Sequence, residues 1–355
     1  MTNTQSRATK KKLDLGLDFI GTFPIRSSDA DKKNDLKKSP SGPVFPRGRY
    51  VVGTKNNALA LSFLDLFKQT YLGKHRKDLL KNTGIEVNAF MSYNSESPTE
   101  EYRQQLTHDT FQALRTKKVD ILLHSMKELP FELPEGIVLA GALRREDPRD
   151  AMVTKSTYGA LQELPQNATV GANSRRRVMQ IKDLRPDIQI IKTEPDLHGR
   201  LKQLEENPEL DAVLVSWAAL KRLNISPRYY VALQPEQMLP APCQGIVGIL
   251  AREEDTDLIA KINYIEDSEA SWASRCERAF LSKFGATADS PIGANAHRKG
   301  TQDPWILDTA IGDIQSGEVL RHREIGTSRC KPESLADKAY NGIMAKGARK
   351  FVPFN

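Results

Sequence analysis

Short apolar runs alternate with amphipathic stretches from Tyr50 onward, and this alternation limits the fold more narrowly than any other feature of the chain. Residues 49–52, 119–123, 169–171, 188–191 and 212–215 are too short for helices and apolar enough for buried strands. Residues 58–71, 100–117, 175–184 and 197–206 read as helices. The first of these has apolar spacing at Leu59, Leu61, Phe63, Leu64 and Phe67. Strands alternating with helices of this length predict an α/β chain built on doubly wound parallel sheets. Breaks near 146–149 and 239–245 would separate two such domains.

Charge is distributed unevenly. The chain has 52 Lys and Arg against 45 Asp and Glu, a formal net charge of +7. Residues 1–49 hold 11 Lys and Arg and 5 Asp, a net +6, so the remainder carries about +1. Basicity therefore belongs to the tail and does not point to a nucleic-acid-binding face. We read residues 1–49 as a disordered basic extension of a cytoplasmic protein. Organelle targeting is the alternative, although transit segments are poor in acids and this tail is not. No apolar run approaches the ~18 residues of a membrane span. Cys243, Cys276 and Cys330 are odd in number and lack metal-ligand spacing, so neither a disulfide framework nor a metal site is expected. A reducing compartment follows.

One strand exit stands out. The apolar run Val119, Ile121, Leu122, Leu123 breaks into His124, Ser125, Lys127 and Glu128 before Pro130. Ligands bind at strand ends of open α/β sheets, because the loops there converge on a crevice. A lysine beside a carboxylate at such an end can perform acid–base chemistry on an anion. A solvated strand exit with an incidental ion pair is the plain alternative.

The run His124-Ser-Met-Lys-Glu-Leu-Pro130 resembles the His-Ser-Met-Lys-Asp-Val-Pro signature of hydroxymethylbilane synthases, also called porphobilinogen deaminases. Further segments resemble that family in its own order. They are Val52-Gly-Thr-Lys-Asn-Asn-Ala-Leu-Ala-Leu61, Arg145-Glu-Asp-Pro-Arg-Asp-Ala-Met-Val153, Val170-Gly-Ala-Asn-Ser-Arg-Arg-Arg177 and 211–223. Leu239-Pro-Ala-Pro-Cys-Gln-Gly245, Glu277-Arg-Ala-Phe-Leu281 and Pro291-Ile-Gly-Ala294 complete the set, which spans roughly residues 50 to 300. The resemblance implies two domains like those of periplasmic binding proteins plus a small C-terminal α+β domain. Carried over, domain 1 is 50–145 plus 240–266, domain 2 is 149–239 and domain 3 is 268–355.

The resemblance also implies a chemistry. The family joins four porphobilinogen units with release of ammonia, in tetrapyrrole and heme biosynthesis, and builds on a dipyrromethane cofactor. Its substrate is a small anionic pyrrole, and a monomer is expected. Acetate and propionate groups call for arginine forks. Arg176 and Arg177 match the family's arginine pair, at a helix start that itself attracts anions. Ser174 lies in the same motif. Arg200 and Arg222 match further arginines, and Lys55 stands where the family has a loop arginine. Lys127 matches the motif lysine. Glu128 stands at the central acid, which is aspartate in the family. One extra methylene moves its carboxylate by about an ångström, enough to cost ~100-fold in rate.

Departures from the family pattern cluster on function. The cofactor-bearing cysteine falls at Ala288, which has no nucleophile. Cys243, in the hinge where the family usually has glycine, is a substitute anchor to be weighed. The family's Arg-Gly-Asn aligns with Glu194-Pro195-Asp196, so an acid replaces an anion-binding arginine. Three readings stay open: an active synthase, a pseudoenzyme that holds a pyrrole or another polycarboxylate, and an enzyme of altered reaction.

Overall fold

A computed structural model describes residues 48–72, 85–94, 100–130, 132–287 and 289–352. The basic extension lies almost wholly outside the described residues, and so does Ala288. Thirteen strands, β1 to β13 in chain order, form three sheets among the described residues.

The first sheet has the order β2 (Ile85–Asn94), β1 (Gly48–Asn56), β3 (Ile121–Ser125), β10 (Val247–Arg252), β4 (Ile137–Ala142). The second repeats that plan with β7 (Gln189–Ile191), β6 (Thr169–Gly171), β8 (Ala212–Ser216), β5 (Asp150–Thr154), β9 (Tyr229–Ala232). The third, small and antiparallel, contains β11 (Ile292–His297), β12 (Ile306–Gly312) and β13 (Val319–Ile325). Two α/β units, each on a five-stranded sheet, and a smaller α+β unit are thus the architecture.

The sheets are mixed rather than parallel. β1 pairs parallel with β2 and β3, but β10 runs antiparallel to both β3 and β4. β6 pairs parallel with β7 and β8, whereas β5 runs antiparallel to β8 and β9. A parallel neighbour requires a crossover, usually a helix. β5 and β10 instead enter directly from the two segments that cross between sheets, so they arrive in the opposite sense.

Burial explains the remaining elements. Ile121–Leu123, Ala212–Val215 and all of Val247–Arg252 are buried without alternation, as expected for strands covered on both faces. The helix Ala58–Leu72 buries Ala60, Phe63, Leu64 and Phe67 at helical spacing. The helix Glu100–Arg115 ends two residues before the expected limit. Lys117 there takes φ 61°, which no helix continues. Helices Ser268–Ser282 and Pro332–Ala345 cover one face of the third sheet through Cys276, Phe280, Leu307, Ile311, Leu335 and Ile343.

Candidate active site

β3 runs into a single tight turn, Met126–Glu128. Met126 is buried, and its N–H donates to the Ile246 carbonyl at 3.1 Å. That anchor holds Lys127 and Glu128 at the strand's carboxyl end. Lys55, at the end of β1 and 7% exposed, reaches Glu128 Oε2 with Nζ at 3.4 Å. The Glu128 side chain remains 43% exposed. Water screens such a pair, which is worth at most about 1 kcal/mol. Its value is positional.

A small open pocket lies at this point. Thr54, Lys55, Phe63, Leu123, His124 and Glu128 line it. The Thr54 hydroxyl donates to the Leu123 carbonyl at 3.1 Å, tying β1 to β3 across the pocket floor. His124 is 2% exposed, and its ring lies 6.4 Å from Phe111 in a stacked pose. Its Nδ1 is 2.9 Å from the Ser125 carbonyl, while Nε2 is buried with no hydrogen-bond partner. Leaving such a group unmade costs about 1–3 kcal/mol. Burial, helped by the positive charge of Lys55, holds His124 near a pKa of about 4, so the ring is neutral at pH 7. Lys127 is pushed down to about 8 by burial, with Glu128 opposing and Arg177 adding to the shift.

The second sheet faces this cluster. Lys127 senses the charges of Arg177, Asp150 and Arg176. The helix Arg175–Leu184 begins after β6, and Ser174 is its N-cap with no side-chain capping bond. Arg176 and Arg177 are 3% and 5% exposed. Each places a guanidinium nitrogen 2.7 Å from a different oxygen of Asp150, which is fully buried. Arg176 also donates to the Leu239 carbonyl at 2.7 Å, and Arg177 to the Leu214 carbonyl at 2.8 Å. Burial alone would raise the Asp150 pKa, but the two arginines outweigh it and hold the carboxyl far below the usual range. The arginine pair expected to meet a substrate carboxylate thus already shares one protein carboxylate, through one nitrogen of each guanidinium.

The other expected residues divide between the cleft and the scaffold. Arg222 closes the boundary between the two sheets. Its Nη2 donates to the Gly245 carbonyl at 2.6 Å, and its guanidinium sits 5.5 Å from the Phe63 ring centre. Burial lowers its pKa to about 10. Arg200 folds back on its own loop, donating to the carbonyls of Glu194 at 2.8 Å and Pro195 at 3.0 Å. Asp196 caps the helix Leu197–Glu206 by accepting from Gly199 N at 2.9 Å. The Glu194–Asp196 segment thus serves as a helix start.

The dipyrromethane group that the motifs imply can be tested against these residues. Ala288 offers no nucleophile for attachment. Cys243 sits in an apolar cluster with Phe111, Ile246 and Ala270, and its Sγ lies 3.7 Å from the Ser274 carbonyl. Burial and the nearby Glu277 carboxylate push its thiol up, away from the reactive thiolate. Its φ of 62° explains why glycine suits this hinge position. Neither residue fits covalent attachment. Among the described residues no His, Cys, Asp and Glu cluster could hold a metal ion.

Sequence reasoning left out His124, Asp150 and Phe63 as site residues. An aspartate opening an apolar run, Asp150-Ala-Met-Val, was the available signal: buried in a strand, it needs a cationic partner.

Comparison with known proteins agrees with the motifs. Residues 51–260 match the family model described as porphobilinogen deaminase, dipyromethane cofactor binding domain. The porphobilinogen deaminase of Roseiflexus sp. (strain RS-1) is 34% identical over 241 residues, 68% of this chain and 78% of that protein. That of Ruthia magnifica subsp. Calyptogena magnifica is 34% identical over 233 residues, 66% and 75% of the two chains. That of Syntrophus aciditrophicus (strain SB) is 30% identical over 276 residues, 78% and 89%. With its paired α/β sheets, its charged strand exit and this match over more than half its length, the chain belongs to the porphobilinogen deaminase family.

Proposed function

We propose that this chain is a hydroxymethylbilane synthase-like transferase. It would join porphobilinogen units, with release of ammonia, in the cleft between the first two sheets. One observation carries the reading: Lys55, Lys127 and Glu128 converge beside a lined pocket at the carboxyl ends of β1 and β3, in a family member. Glu128 would stabilise positive charge at the pyrrole nitrogen as the amine departs. Lys127 and Lys55 would neutralise acetate and propionate groups. Arg222 would shape the cleft at the sheet boundary, and Ser174 and Arg200 would contribute to substrate binding as the family's motifs imply. Arg176 and Arg177 share the single negative charge of Asp150, so the three together keep one positive charge for a substrate carboxylate.

The strands that share each sheet support a partition into 50–145 plus 240–266, 149–239 and 268–355. A monomeric cytoplasmic protein acting on a small anionic pyrrole completes the proposal. No helix among the described residues is long and apolar enough to cross a membrane.

A second reading has its own support. Ala288 lacks the attachment sulfur, while Arg176, Arg177 and Asp150 together keep one positive charge, as in a protein that holds a pyrrole polycarboxylate without turning it over. Incubation of the purified protein with porphobilinogen separates the two. The synthase reading expects ammonia release and a linear tetrapyrrole, with intact mass equal to the bare polypeptide. Binding by calorimetry without ammonia supports the second reading. Absence of both binding and turnover rejects each.

A further inference from the structure

We infer that Arg175 is a specificity-determining residue that binds one carboxylate of the pyrrole held in the cleft, where the second unit meets the third. The inference rests on the proposed function, in either of its readings, and names the contact that orients the ligand. Arg175 opens the helix Arg175–Leu184 and is partly exposed. It makes no hydrogen bond or ion pair among the described residues. Its Nε is enclosed, but its two terminal nitrogens are not. Other arginines of the chain that are mostly covered have taken an acid: Arg145 lies 2.6 Å from Glu277, Arg185 2.6 Å from Asp187 and Arg298 2.8 Å from Glu269. Arg176 and Arg177 share Asp150, so the charge of Arg175 is the one in this run that no protein carboxylate offsets.

Packing decides where that charge stands. The helix lies across the third sheet: Asp183 faces Arg321 of β13 at 3.8 Å, and Met179, one turn earlier, packs against Ala310 of β12 and Leu239. Arg175 is one further turn back on the same face, which carries it to the β11 side. There Leu239 packs on Gly293, and the closed turn Thr287–Ser290 leads into β11. The next residues, Arg176 and Arg177, act electrostatically on Lys127, so the helix start and that lysine stand within reach of one small anion. Ser174 makes no capping bond, which leaves the helix's first backbone N–H groups open and lets the dipole add to the attraction. Asn173 fixes the loop ahead of the helix: its side chain donates to the Thr193 carbonyl at 2.8 Å and accepts from Thr193 N at 2.7 Å. A lysine ammonium is a compact point charge, whereas a guanidinium is a planar fork that sets the angle of the carboxylate. Lys55 and Lys127 would thus neutralise the substrate, and Arg175 would orient it.

The test uses porphobilinogen and two analogues, one with the acetate and one with the propionate converted to its primary amide. Calorimetry at neutral pH measures each against the unaltered protein and Arg175→Leu. A charge-assisted fork makes the variant bind porphobilinogen about 10- to 100-fold more weakly. One of the two amides should bind both proteins equally within twofold, because it lacks the carboxylate that Arg175 reads, and the other should lose as much as porphobilinogen. The urea midpoint should not move, since Arg175 has no protein partner to lose. Arg175→Gln repeats the comparison with a polar side chain at the helix start and should show the same pattern. A loss for porphobilinogen of less than twofold in both variants, or equal losses for porphobilinogen and both amides, overturns the inference alone. Failure of the unaltered protein to bind porphobilinogen overturns the proposed function and this inference together.

Discussion

At the scale of single residues, the start of β5 is governed by Asp150. A carboxylate with no exposure survives there because two guanidinium groups each approach to 2.7 Å. Its folded pKa lies below its unfolded value of about 3.9. The resulting stability is therefore fully present above pH ~3.9 and is lost as pH falls through the folded value. Asp150→Asn removes the charge and leaves two buried arginines uncompensated. We expect a loss of about 3–5 kcal/mol at pH 7. Between pH 4 and 2 the variant's stability should fall less steeply than that of the unaltered protein. Urea unfolding at several pH values measures both. Equal slopes would show that Asp150 is not the ionised partner of the pair.

At the scale of elements, strand ends place the chemistry and helix starts hold the frame. β1 and β3 deliver Lys55 and Glu128 to one point because they are neighbours in the sheet. The helix Leu197–Glu206 starts where the family motif would put an arginine, and here Asp196 supplies its capping bond. An N-cap of this kind contributes about 1 kcal/mol. Asp196→Ala should cost that amount in thermal or chemical unfolding. It should leave porphobilinogen affinity unchanged within twofold, since Arg200 is held by the carbonyls of Glu194 and Pro195. A large fall in affinity with no loss of stability would instead place this segment in the binding surface.

At the scale of the molecule, one buried carboxylate joins the three sheets. Glu277, fully buried on the helix Ser268–Ser282, accepts from Arg145 at 2.6 Å and from Ala296 N at 2.7 Å, and also from Cys243 N. Arg145 lies on the segment leading into the second sheet, Cys243 on the return segment and Ala296 in β11. Arg145 Nε donates in turn to the Gln244 carbonyl at 2.9 Å. Gly245 completes the junction. Its φ is +86°, and a Cβ there would meet the Glu146 carbonyl oxygen at 2.4 Å. Glu277→Ala should destabilise the protein by about 3–5 kcal/mol by stranding the arginine. The double variant Arg145→Ala/Glu277→Ala should cost less than the sum of the single changes, because the charge it strands is also gone. Additive costs in a double-mutant cycle would mean that the pair is not coupled.

Local pattern determined much of this protein. Helical spacing in 58–71 and unbroken apolar runs at 119–123 and 212–215 placed elements within a few residues, because burial on one or two faces imposes its period on the sequence. Ordered motifs identified the family and brought Lys55, Lys127 and Glu128 forward as a set. Strand direction was decided only in three dimensions: β5 and β10 enter from the segments that cross between sheets and run antiparallel to their partners. Tertiary structure also decided the fate of the arginine pair, since an aspartate 26 residues before Arg176 in sequence reaches it only through the sheet. His124 was visible as a residue type, but that its Nε2 is buried without a partner emerges only on packing. Hydrogen-bond satisfaction of that kind is a property of the packed interior, and residue order alone does not encode it.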